Sequence, residues 1–227
     1  MFLRYAIVLF LLTTVAALWG RRKFRLAYDA GMLRQSKGGI TGATLARRIL
    51  THAGIEGVEI AVGHGLMPDY YDPGRRTLYL HQRHYDGTTH TALGIAAHEA
   101  GHALQHAAGH RPLFWRLSSI QATMSLSLPI LLLGLLCLII PGLGKLALFG
   151  LSLAFVALTG WNLMTLPTEL DATLRSERVL DEIRGRTLAS LDEYESVQLI
   201  MRSASAAYIE GIFAPLSWLL GRIRKPQ

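Results

Sequence analysis

The sequence predicts a mainly α integral membrane protein with a small two-strand β element and about 3–4 transmembrane helices. Three observations carry that expectation. Of the 227 residues, 51% are hydrophobic, and they gather in three blocks: the N-terminus, 126–166 and 204–220. Basic residues sit beside those blocks, Arg21, Arg22, Lys23 and Arg25 after the first and Arg222, Arg224 and Lys225 after the last, as juxtamembrane anchors do. Between the first two blocks the pattern changes to that of a small soluble unit, with one helical stripe and two alternating stretches. The formal net charge of +7 carries no basic patch interleaved with aromatics, which excludes a nucleic-acid partner. The single cysteine, Cys137, lies in an apolar run and reads as a small buried hydrophobe.

Taken in order, 1–20 forms the first transmembrane helix. Its apolar run is broken only by Arg4, Tyr5 and two threonines, and at about 1.5 Å per residue it just spans a bilayer. A cleaved signal peptide would need a small-residue cleavage site, whereas Ala16-Ala17-Leu18-Trp19-Gly20 runs straight into Arg-Arg-Lys. The basic excess after Trp19 puts the following region, 21–120, on the cytoplasmic side.

Within 21–120, Gly38-Gly39-Ile40-Thr41-Gly42 is a breaker followed by a helix start. Thr41 suits the N-cap, Leu45, Ile49 and Leu50 form the stripe, and Gly54 suits the C-terminal turn. Residues 58–62 and 77–81 alternate as strands, separated by a Pro- and Gly-rich loop over 63–74. The 77–81 strand could offer its edge to an extended peptide. Thr88 or Thr89 then caps a helix over about 91–108, with Pro112 marking its end. Five histidines and a glutamate between His90 and His110 argue against lipid exposure of that helix.

Downstream, 121–167 reads as a transmembrane hairpin, with spans near 126–140 and 146–166 and a turn at Pro141-Gly142-Leu143-Gly144-Lys145. The hairpin returns the chain to the side it left. Leu166-Pro167-Thr168 breaks or caps, and 168–203 is a charged helical region with a further helical piece from Ser190. The last segment, 204–227, is a membrane or interfacial helix carrying Glu210 and Pro215.

The chemistry lies in His98-Glu99-Ala100-Gly101-His102, the H-E-x-x-H spelling. On a helix His98 and His102 share one face, one turn apart, and can grip one Zn²⁺ ion. Glu99 projects beside them, where it can act as general base toward a water that the ion activates. The longer spelling with a further glycine and histidine fails, because Gln105 and Ala108 occupy those positions. His106 and His110 continue the i+4 ladder. His106 is two turns from His98, better suited to supporting a ligand than to being one. The third ligand is better sought in a carboxylate on a later helix. Glu169 is the candidate, with Asp171 available to orient a ligand histidine through its free ring N–H. Both acids also suit the first turn of a helix, where the dipole favours them, and spacing alone leaves both readings open.

At these residues the chain resembles the YugP-like neutral zinc metallopeptidases of bacterial membranes. The resemblance runs through Leu45-Ala46-Arg47-Arg48-Ile49-Leu50, Tyr71-Asp72-Pro73, Leu78-Tyr79-Leu80, the stretch from Ala96 to Gln105, and Thr165-Leu166-Pro167-Thr168-Glu169-Leu170-Asp171-Ala172. It implies a zincin-like metallopeptidase unit in a multi-pass protein of the bacterial inner membrane; the charges after Trp19 put its site on the cytoplasmic side. More distantly the chain is similar to membrane gluzincins, whose third ligand opens an E-x-x-A-D signature. Glu169-Leu170-Asp171-Ala172-Thr173 matches that signature except at Thr173. The resemblance therefore implies Glu169 as third ligand and leaves the group that orients the histidines open. The expected activity is hydrolysis of peptide bonds in a protein or peptide, including a membrane protein, with Tyr70, Tyr71, His81 and His84 as candidate oxyanion donors. The competing readings are a non-catalytic zinc-binding membrane scaffold and a protease whose site lies inside the bilayer. Charged and polar residues over 79–90 favour a juxtamembrane site over the latter.

Overall fold

The computed structural model describes residues 2–65, 68–140 and 142–207. The chain divides into two compact units. One comprises Arg22–Leu113 with Pro167–Ala206, and the other Met1–Arg21, Phe114–Leu166 and Ala207–Gln227.

The first unit contains the histidine-rich helix. Ahead of it, helix α1 runs Phe2–Met32, continuing past the expected end of the N-terminal apolar block, and α2 spans Gly42–His52. Thr41 caps α2 as the sequence predicts, its hydroxyl accepting from the Thr44 N–H at 3.1 Å, and Gly54 takes the left-handed φ of +68° just past the end. Leu45, Ala46, Ile49 and Leu50 are fully buried on one face.

The sheet has three strands rather than the expected two: β1 (Glu59–Gly63), β2 (Tyr70–Asp72) and β3 (Thr77–His81), in the order β1-β3-β2. β1 pairs with β3 in parallel, Glu59 opposite Thr77. β2 pairs with β3 antiparallel, Tyr71 opposite Leu78. The missed strand is three residues long, too short for an alternation to register, and lies inside the Pro- and Gly-rich stretch. The Asp72 carboxylate stabilises the turn into β3, accepting from the Gly74 and Arg75 amides at 2.9 and 3.1 Å. The central position of β3 also corrects the expectation that 77–81 offers an edge, since both of its sides are paired.

After the short helix α3 (Gln82–Tyr85), α4 spans His90–Ala107, with Thr89 rather than Thr88 as its cap. Every residue of α4 from His90 to Gln105 is buried, so its apolar character serves a protein core. Gly109, φ +68°, follows the Ala108 cap of α4, and Pro112 instead opens the next helix, at a position where its missing N–H costs nothing. The core around α4 draws on Leu45 and Ile49 of α2, Tyr71, Leu78 and Leu80 of the sheet, and Leu180, Val197 and Met201 from later helices.

Helix α5 is Pro112–Ile139, α6 is Gly144–Thr187 and α7 is Leu191–Ala207. The expected break at Leu166-Pro167-Thr168 is absent: α6 runs unbroken with Pro167 inside it. A proline in a helix removes one N–H and crowds the preceding turn, which bends more often than it ends a helix held by packing on either side. The second part of α6 is so held, for example by Ser176 Oγ donating to the Ala97 carbonyl of α4 at 2.6 Å. Helix α7 opens with a reciprocal cap, Ser190 Oγ accepting from Glu193 N–H and the Glu193 carboxylate accepting from Ala189 N–H.

In the other unit, α5 and the first part of α6 contain the two expected apolar spans. Among the described residues one stretch, Pro112–Cys137, is long and apolar enough to cross a membrane; Gly144–Ala154 is apolar but shorter. Among the described residues that gives one candidate span, which does not establish the expected 3–4. Leu132, Leu133, Leu136 and Ile139 stay exposed, unlike the side chains of a core helix. Of the expected C-terminal membrane segment, 208–227 lies outside the described residues.

Candidate metal centre

One face of α4 brings His98 and His102 together, their rings edge to face with centroids 5.1 Å apart. The ligand-capable atoms of His98, Glu99 and His102 all lie within 4.8 Å of one another. Glu169, on the α6 turn just past Pro167, is closer still: its Oε2 is 3.2 Å from His98 Nε2 and 3.4 Å from His102 Nε2. His102 and Glu169 are both 0% exposed and Glu99 3%. Glu99 Oε2 has no hydrogen-bond partner among the described residues.

These separations bear on whether the residues suit a metal. Ligands about 2.0–2.1 Å from a tetrahedral ion stand about 3.3 Å from one another. The observed 3.2 and 3.4 Å match that spacing. Burial points the same way, because two carboxylates and two imidazoles withdrawn from water call for a compensating cation. The donor set is the imidazole and carboxylate mixture that Zn²⁺ accepts.

Both imidazoles are held from behind. His98 Nδ1 lies 2.9 Å from Thr173 Oγ1 on α6, which in turn meets Ser205 Oγ on α7 at 2.5 Å. The Ser205 hydroxyl reaches the Met201 carbonyl at 3.3 Å and the Glu169 carbonyl at 3.4 Å. His102 Nδ1 lies 2.9 Å from Gln105 Oε1, and the Gln105 amide nitrogen donates to the Thr168 carbonyl at 2.7 Å and to Asp171 Oδ2 at 2.8 Å. Of the residues singled out from sequence, Asp171 thus meets Gln105, and Gln105 meets the histidine. Burial works to raise the Asp171 carboxyl, but the hydrogen bonds from Arg175 and Gln105 outweigh it and hold the group below the usual carboxylate range. His106 Nδ1 is bonded to the Tyr71 hydroxyl at 2.8 Å, against β2.

The candidate oxyanion donors have other partners. Tyr71 is spent on His106, and Tyr70 stacks on Tyr79 with ring centroids 4.9 Å apart. His84 lies between the Tyr28 hydroxyl and the Asp69 carboxylate, each at 2.9 Å, and Asp69 also accepts the His81 amide.

Sequence reasoning missed Gln105, Thr173 and Ser205. Gln105 was visible in spacing, three residues after His102 and so on the same helix face. Thr173 stands in the sequence only as a departure from an acidic position. A hydroxyl there reaches the imidazole as a carboxylate would.

The approach of α4 to α6 rests on Gly101. A Cβ built there would lie 2.7 Å from the Ala172 carbonyl carbon, so only glycine lets the turn bearing Glu169 come this close to the histidines.

The family described as "putative neutral zinc metallopeptidase" matches residues 5–224 of the chain. The chain is similar to "Putative membrane protease YugP" of Bacillus subtilis (strain 168), with 31% identity over 220 residues that cover 94% of each chain. No solved structure matches it.

Proposed function

Because the chain belongs to this family of zinc metallopeptidases, whose cofactor is Zn²⁺, we propose that it hydrolyses peptide bonds at His98, Glu99, His102 and Glu169 while embedded in a membrane. The observation that carries this reading is the convergence of one carboxylate oxygen, Glu169 Oε2, on two imidazole nitrogens, with a second buried carboxylate beside them. His98, His102 and Glu169 would hold the ion, which leaves a fourth position open, as in catalytic rather than structural sites. Bound zinc supplies Lewis-acid chemistry, polarising a carbonyl and acidifying water.

The chain's own residues supply the proton handling. Glu99 Oε2, buried and with no partner among the described residues, takes the proton of the attacking water and then passes it to the departing amine. Glu99 adjoins His98 in the chain, so the helix that presents the ligands also presents the base.

Membrane embedding is supported by the apolar, largely exposed Pro112–Cys137 stretch and by the name of the Bacillus relative. In a multi-pass arrangement, the charges following Trp19 favour a site on the cytoplasmic side of the bacterial inner membrane. Substrates of this reading are extended segments of proteins or peptides.

The test is Glu99→Gln in the detergent-purified full chain. It should retain zinc and lose at least about 100-fold in casein hydrolysis, the low end of what a positioned general base contributes. Wild-type hydrolysis by this variant would rule the mechanism out.

A further inference from the structure

Gln105 is fully buried, and its carboxamide is committed on both ends. Its nitrogen donates to the Thr168 carbonyl and to the Asp171 carboxylate, two groups that can only accept. Rotating the amide by half a turn would set its oxygen against both, so the orientation is fixed by its neighbours. The oxygen that remains faces His102 Nδ1 at 2.9 Å and can only accept. His102 must therefore carry its ring proton on Nδ1, which directs the Nε2 lone pair toward Glu169 Oε2.

The partners of this amide flank the third carboxylate. Thr168 and Asp171 lie on either side of Glu169 on one turn of α6, and Asp171 is itself held by Arg175 Nε at 2.6 Å. One side chain thus fixes the tautomer of a histidine on α4 and ties it to the α6 turn that presents Glu169. His98 has a different support, the hydroxyl pair Thr173 and Ser205, with no charged member.

We infer that Gln105, anchored by Asp171 and Arg175, is a positioning residue that sets the metal affinity of the site through His102. The inference rests on the metal-binding reading above. Partners that hold metal-ligating histidines from behind are worth about 10–100-fold in metal affinity. Gln105→Leu, close in volume, should lose zinc affinity in that range in a chelator competition on the detergent-purified full chain. The visible spectrum of the cobalt-substituted protein should shift as His102 reorients. Gln105→Glu should also weaken binding, because it loses both donors and faces Asp171 with a like charge. Adding Asp171→Asn should recover most of that loss, since the amide introduced at position 171 can donate to the carboxylate at 105, remaking the 105–171 hydrogen bond in the reverse direction and removing the like charge.

A packing role alone would lower the melting temperature of the metal-free protein and leave zinc affinity and the cobalt spectrum unchanged; that result would overturn the inference. The double variant retains this test even if Gln105→Leu fails to fold, and absence of recovery in a folded double variant would equally count against it. Failure of the wild type to bind zinc would instead remove the metal-binding reading and this inference with it.

Discussion

Gly101 of α4 and Ala172 of α6 pass backbone to backbone, with no room between them for a single methyl group. The contact lies one turn from Glu169 and directly before His102, so helix spacing there becomes ligand spacing. Gly101→Ala should force α6 outward at a cost of about 1–3 kcal/mol, typical of overpacking. Zinc stoichiometry and the melting temperature should fall together. A variant that melts and binds zinc as wild type would refute the link.

The two buried glutamates should separate cleanly by substitution. Glu169→Gln removes a charged donor from the group of three and should lose bound zinc on dialysis, and with it hydrolysis. Glu99→Gln should keep its zinc. Metal content by atomic emission distinguishes them, and stoichiometric zinc with full activity in Glu169→Gln would dismiss Glu169 as a ligand.

Removing the metal should also destabilise the fold. Without a cation, two buried carboxylates face two imidazoles with their charge uncompensated. Chelation should lower the melting temperature, and zinc at 100 times its dissociation constant should restore about 2.7 kcal/mol. An unchanged melting curve would count against a cation at this position.

His90 gives a prediction in pH. Burial pushes its imidazole below the ordinary value of 6.5, and the Arg34 guanidinium adds to this, while Glu193, Asp192 and the Gln35 backbone pull the other way. The folded state therefore resists a proton that the unfolded state accepts. Stability should fall as pH drops below about 6.5, by at most about 1.4 kcal/mol per unit from this one group. Comparing metal-free wild type with His90→Gln between pH 7 and 5 isolates the contribution, and parallel curves would contradict it.

Much of the site could be read from residue order. H-E-x-x-H spells its own geometry, because a helix converts a spacing of four into a shared face, and the caps at Thr41 and Thr89 follow from local hydrogen bonding. Features that depend on distant partners were harder to see. Tyr70–Asp72 pairs only because β3 is beside it, and Pro167 stays inside a helix because α4 braces the turns beyond it. In the sequence Gln105 is only a missing glycine; its role needs Thr168 and Asp171 set opposite its amide. Thr173 illustrates the limit of matching by residue type: its hydroxyl occupies the place behind His98 that a signature reserves for an acid.

His98 and Glu169 are 71 residues apart, and the hydroxyl behind His98 leans on Ser205, near the end of α7. A site assembled this way has no local precursor. In chain order His98 and His102 come long before the carboxylate that completes their group and the serine that steadies one of them. The complete group, with the support behind His98, thus exists only once α6 and α7 have packed against α4.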